Sequence, residues 1–122
     1  MKKILFVDDE ADLLKVLSMR LKKGGYEVFA AVDGPEALEM AFSKTPDLII
    51  LDVYLPGMNG DDVATILKKD EKTKTIPIIL ISADATTLEA RFKKCGADGF
   101  LPKPIESKDL ESMVEEHILS GK

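Results

Sequence analysis

The sequence predicts an α/β protein built on a five-stranded parallel sheet. Two observations carry that expectation. Short apolar runs recur five times, and each is followed by a stretch with apolar residues at helical spacing. Gly, Pro, Asn and Asp punctuate the joins. Strand–helix alternation of this kind implies parallel strands with helices on both faces of the sheet.

The elements follow in order. Residues 3–7 (Lys-Ile-Leu-Phe-Val) read as a buried strand stopped by Asp8-Asp9-Glu10. Residues 10–23 carry Leu13, Val16, Leu17 and Leu21 as an inward helical stripe, closed by Lys22, Lys23 and Gly24-Gly25. Tyr26 to Ala31 is the second strand. Asp33-Gly34-Pro35 turns into a helix running to about Ser43, with Pro placed to open it. Pro46 bars further helix. Leu48-Ile49-Ile50-Leu51 then runs straight into Asp52, an apolar stretch that reads as a strand buried on both faces. After Pro56-Gly57 and Asn59-Gly60, a third helix carries Val63, Ala64, Ile66 and Leu67. Ile76 to Ile81 is the fourth strand, with Pro77 tolerable only near its start or at an edge. Residues 86–95 form a helix ended by Gly96, and Ala97 to Leu101 a short fifth strand. Residues 107–119 are the last helix, with Leu110, Met113, Val114 and Ile118 inward.

The length, 122 residues, favours a single domain over 1–122. A net charge of −5 without a basic block argues against nucleic-acid binding, which draws on phosphate contacts. No apolar run reaches the length of a membrane span, and the N-terminal run is too short for a signal peptide. The one cysteine, Cys95, excludes an internal disulfide and fits a cytoplasmic location.

For five strands the common doubly wound order is 2-1-3-4-5, the flavodoxin-like (βα)5 arrangement. Ligands of such sheets bind beyond the carboxyl ends of the strands, where the strand order reverses. Here that point lies between strand 1, ending in Asp8-Asp9, and strand 3, ending in Asp52. Ser82 ends strand 4, and Lys103 follows strand 5. Taken singly, each residue has an ordinary role: a helix-start acid, a turn former, a cap, a loop lysine. Together they converge on one sheet edge.

Three converging carboxylates repel one another, and a divalent cation relieves the conflict. All-oxygen donors favour a hard ion, and few ligands with room for water favour Mg2+. Phosphoryl transfer needs an in-line nucleophile and cations for the equatorial oxygens. Asp52 is the best nucleophile, since a carboxylate can form an acyl phosphate. Asp9 is the best direct metal ligand, with Asp8 helping directly or through water and the Tyr54 carbonyl adding an oxygen. Lys103 can pair with Asp52 or a phosphate oxygen, and Ser82 offers a hydroxyl.

Four segments carry a family resemblance: Val7-Asp8-Asp9-Glu10; Asp52 to Gly60; Ile81-Ser82-Ala83; and Gly96 to Pro104. They resemble the response-regulator receiver family, the phosphoacceptor half of two-component signalling, over essentially the whole chain. The resemblance implies Mg2+ and phosphorylation of Asp52 by a sensor histidine kinase or histidine phosphotransfer protein. It implies a cis Lys103–Pro104 bond, and a switch at Ser82 and Phe100 that reshapes the face of helix 4, strand 5 and helix 5. It also implies kinase docking at Leu14, Lys15 and Ser18, read as lying off the inward face of helix 1. Such a domain is no enzyme in the usual sense; it catalyses only its own phosphorylation and slow autodephosphorylation. Phe100 lacks the hydroxyl of the tyrosine often found there, Ser82 lacks the methyl of the commoner threonine, and Pro102 stiffens the approach to Lys103. Tyr54 and Asp84 sit where the family tunes dephosphorylation.

Three rivals compete. A flavin- or dinucleotide-binding domain wants a Gly-rich loop after strand 1, where this chain has acids that repel an anionic cofactor. A turnover phosphatase wants a general acid at the Tyr54 position. A degenerate receiver used only for protein contacts does not need the full acid, hydroxyl and lysine set. The sequence leaves open the cognate kinase, the downstream effector, a monomer against a phosphorylation-dependent dimer, and a stand-alone chain against a piece of a longer regulator.

Overall fold

The computed structural model describes residues 1–120, with side chains through residue 118. Five strands alternate with five helices: β1 (Lys3–Val7), α1 (Ala11–Lys23), β2 (Glu27–Ala31), α2 (Gly34–Lys44), β3 (Leu48–Asp52), α3 (Gly60–Lys69), β4 (Ile78–Ser82), α4 (Ala85–Cys95), β5 (Gly99–Pro102) and α5 (Ser107–Ser120). All strand pairs are parallel, and their order is β2-β1-β3-β4-β5, as the sequence predicts.

Side-chain alternation along the strands divides the interior into two cores. Leu5, Val7, Ile49, Leu51, Ile78 and Leu80 face α2, α3 and α4, meeting Ala37, Ala41, Val63, Leu67 and Leu88. Ile4, Phe6, Leu48, Ile50, Ile79 and Ile81 face α1 and α5, meeting Leu14, Leu17, Leu21, Leu110 and Val114. The central strands β3 and β4 are buried along their whole length. That leaves their carboxyl ends as the places where a polar group can enter.

Local chemistry fixes the helix ends. The Asp33 side chain accepts a hydrogen bond from the Glu36 N–H at 2.8 Å and caps α2, with Pro35 in its first turn. Gly96 ends α4 in the left-handed conformation at φ 83°, where a side chain is strained.

Several expectations need correction. On α1 the inward stripe is Leu14, Leu17, Ser18 and Leu21, while Val16 is 56% exposed. Leu14 and Ser18 are therefore not off the inward face; of the three residues expected there, only Lys15 is exposed. Ile66 on α3 is also exposed. Strand β4 starts at Ile78 because Pro77 has no N–H to give the ladder; its carbonyl instead accepts from the Ile49 N–H at 3.0 Å. β5 runs Gly99–Pro102, two residues later than expected at its start.

Candidate functional site

The carboxyl ends of β1, β3, β4 and β5 carry Asp8, Asp52, Ser82 and Lys103 onto one edge. Parallel pairing with Asp52 beside Ile81 and Ser82 beside Pro102 keeps the strands in step. Asp8, Asp52 and Ser82 are all nearly inaccessible to solvent. The Lys103–Pro104 bond is cis. Lys103 Nζ donates to Asp52 Oδ2 at 3.2 Å and to Glu10 Oε1, and lies 3.0 Å from Asp8 Oδ2. One ammonium thus faces three carboxylates.

The electrostatics follow from that crowding. Burial first, and then the Asp8 charge, push the Asp52 carboxyl up from its ordinary 3.8 to about 6; Lys103 pulls the other way. Lys103 is raised: burial opposes its charge, but its contacts with the Glu10 and Asp8 carboxylates and the charge of Asp52 outweigh it. Asp8 Oδ1 accepts the Glu10 N–H at 2.9 Å. Asp8 Oδ2 is buried and makes no well-formed hydrogen bond among the described residues, its charged neighbour being the Lys103 ammonium at 3.0 Å.

Three carboxylates share that one ammonium, which leaves negative charge for a further cation. Asp8, Glu10 and Asp52 each offer an oxygen, and these lie within 4.8 Å of one another. Such a set suits a hard divalent ion such as Mg2+. Asp9, expected to be the direct ligand, is exposed and lies outside this group; Glu10 stands in it instead. Locally, Asp8 accepts the Glu10 N–H, and the exposed Glu10 carboxylate accepts from Lys103 Nζ.

Around this centre the remaining residues fall as follows. Ser82 Oγ accepts the Asp84 N–H at 3.0 Å, which ties it to the start of α4 and leaves its O–H available to donate. The Tyr54 N–H reaches Asp52 Oδ1 at 3.4 Å, a long contact. Tyr54 Oη donates to Asp84 Oδ2 at 3.1 Å. Phe100 is half-buried, its ring 4.9 Å from that of Phe92 on α4. Leu14, Lys15 and Ser18 line a groove between α1 and β2 with Met19 and Val32, apart from the acidic cluster. Sequence reasoning gave Glu10, Asp61 and Arg91 no role. Glu10 was legible as the third acid of a run; Asp61 and Arg91 lie 30 residues apart on two helices, and no local pattern marks them.

A family model described as the response regulator receiver domain matches residues 4–115. The chain belongs to the response-regulator receiver family. Solved receivers agree with this one closely. The Thermotoga maritima response regulator TrrA, solved in complex with Mg2+ and BeF, is 36% identical, with 96% of this chain and 99% of that one covered at a TM-score of 0.87. The chemotaxis response regulator CheY4 of Vibrio cholerae is 33% identical, covering 96% of this chain and 98% of its own, at 0.89. The receiver domain of a signal-transduction histidine kinase from Syntrophus aciditrophicus is 33% identical, covering 98% and 92%, at 0.90. Among the described residues, no helix is long and apolar enough to cross a membrane.

Proposed function

We propose that this receiver accepts a phosphoryl group on Asp52 from the phosphohistidine of a sensor histidine kinase or a histidine phosphotransfer protein. One observation carries the reading. Asp52 is a buried carboxylate at the end of the central strand, with Lys103 hydrogen-bonded to one of its oxygens. A carboxylate held in that way is a poised nucleophile.

In the transfer, an Asp52 oxygen attacks phosphorus in line as the nitrogen–phosphorus bond of the donor breaks. The donor imidazole leaves with that electron pair and is protonated. Lys103 stays beside Asp52 and stabilises the charge on the transferring oxygens. Ser82 can keep accepting the Asp84 N–H while it donates its hydroxyl proton to the phosphate. Asp8 and Asp52, with Glu10 or Asp9 and the Tyr54 carbonyl, would hold Mg2+. Bound there, Mg2+ would neutralise the carboxylates and the phosphate oxygens in the transition state. The Mg2+ and BeF in TrrA support the same pairing here.

The switch is read through Ser82 and Phe100. Ser82, drawn toward the phosphate, carries the start of α4 with it through the Asp84 N–H, and Phe100 repacks against Phe92, favouring a second arrangement of the α4–β5–α5 face. An effector reads that face, with or without dimer formation. The chain acts as one domain over 1–122, in the cytoplasm, and turns over only its own phosphate. Kinase docking along α1 falls on exposed Lys15, with Leu14 and Ser18 forming the floor of the groove beside it.

The test is phosphorylation by a small phosphodonor or a phosphorylated kinase domain, followed by mass spectrometry. Wild-type protein gains one Mg2+-dependent phosphoryl group; Asp52→Asn gains none. Undiminished labelling of Asp52→Asn would sink the assignment.

A further inference from the structure

A chain of contacts closes the rim between β3 and β4. Tyr54 lies two residues beyond Asp52, and Asp84 two residues beyond Ser82. β3 and β4 are paired neighbours, so the Tyr54 Oη–Asp84 Oδ2 hydrogen bond spans both strands just outside Asp52 and Ser82. A phenol that is 43% exposed is not fixed by one solvent-accessible hydrogen bond.

A second contact holds it. The Arg91 guanidinium of α4 lies 5.2 Å from the Tyr54 ring centroid, within reach of a cation–π interaction. Arg91 is itself held, because its Nη1 donates to Asp61 Oδ2 of α3 at 2.8 Å, with both side chains largely buried. Asp61 Oδ1 is buried without a hydrogen-bond partner among the described residues. Burying a carboxylate oxygen that way is costly, and a first-turn helix acid can otherwise turn to water. Asp61 stays inward because the arginine is there.

We infer that Arg91 is a positioning residue: locked to Asp61, it holds the Tyr54 ring across the mouth of the Asp52 pocket and slows hydrolysis of the phosphorylated aspartate. The inference rests on the phosphorylation of Asp52 proposed above. In hydrolysis a water oxygen bonds to phosphorus, and the bond from phosphorus to the Asp52 oxygen breaks. Asp52 keeps the electron pair as carboxylate, and both water protons leave on the phosphate as H2PO4−. A ring across the mouth limits the approach of that water, and neither Arg91 nor Asp61 touches the reacting atoms.

The experiment uses the Tyr26→Phe background, which leaves Tyr54 as the one tyrosine in a chain without tryptophan. Acrylamide quenching of its fluorescence reads how firmly the ring is held, with no phosphorylation required. Quenching rises in Arg91→Ala and, to a lesser degree, in Arg91→Lys, which keeps a charge for Asp61 but loses the planar face. The same proteins are then loaded with acetyl phosphate and Mg2+, the donor is removed, and phosphoprotein decay is followed. Decay is several-fold faster in Arg91→Ala and in Tyr54→Ala, and the double variant is no faster than Tyr54→Ala. Arg91→Lys keeps the experiment decisive if Arg91→Ala folds poorly. Unchanged quenching and decay in Arg91→Lys, or additive effects in the double variant, overturn the inference alone. Failure of the wild type to load overturns the phosphoacceptor reading and the hydrolysis step with it.

Discussion

Asp52 is held in a state that its own charge disfavours. Its carboxyl titrates near 6 rather than 3.8, chiefly because it is buried and secondly because Asp8 is close. A raised native pKa means that the folded protein binds this proton more tightly than the unfolded chain does. The associated stability is fully present below pH 3.8 and is lost as pH rises through about 6. The gap corresponds to at most about 3 kcal/mol. Asp52→Asn, which cannot ionise, is therefore expected to raise the thermal midpoint at pH 8 in chelator, with little change at pH 4. An equal gain at both pH values would mean that packing, not charge, is responsible. Mg2+ acts on the same conflict from outside. Adding it at pH 8 should stabilise the wild type and do less for Asp52→Asn, with chelator reversing both. That Glu10 as well as Asp8 stands beside Lys103 was not legible in the sequence. Three consecutive acids share one composition, and only the turn geometry and the reach of Lys103 separate them.

At the scale of elements, β3 and α3 meet at a point that leaves no room for a side chain. A Cβ on Gly60 would lie 1.9 Å from the Asp52 backbone oxygen, while the Gly60 N–H donates to the Val53 carbonyl at 2.6 Å. The obstacle is backbone, so it cannot rotate away. Gly60→Ala is expected to cost about 1–3 kcal/mol, as overpacking does, and to slow phosphorylation by shifting the end of β3. Urea titration together with labelling rates checks it. Wild-type stability in Gly60→Ala would show that α3 slides without strain. Strand existence and order were legible because each strand is a short apolar run between turn residues, and alternation with helices leaves few topologies. The rotation of α1 was not. Its phase rests on four apolar residues, and Ser18 is buried on the inward face although its hydroxyl has no hydrogen-bond partner among the described residues, while Val16 turns outward. β4 starts two residues later than its apolar run suggests, because Ile76 is buried and apolar yet belongs to the preceding turn.

Over the whole molecule, Lys103 ties the last strand to the first and third. Its ammonium joins groups 93 and 51 residues away in sequence, Glu10 and Asp52, and is the one positive charge set against the three carboxylates it contacts. The side chain is 11% exposed, and Asp8 and Asp52 are almost fully buried. Removing one partner of a buried charge cluster leaves the others uncompensated, a loss of about 3–5 kcal/mol. Lys103 has a raised pKa and is charged in both folded and unfolded chains through neutral pH, so the pH dependence of its removal comes from the acids it leaves behind. Lys103→Met should thus be most destabilised at pH 8 and recover as pH falls toward 4.5 and Asp52 takes up a proton. Mg2+ at pH 8 should restore more stability to Lys103→Met than it adds to the wild type, since a divalent ion replaces the missing ammonium. Thermal midpoints at the two pH values, with and without Mg2+, separate the causes. A loss that is the same at pH 8 and 4.5 and insensitive to Mg2+ would assign Lys103 to packing of its aliphatic stem instead.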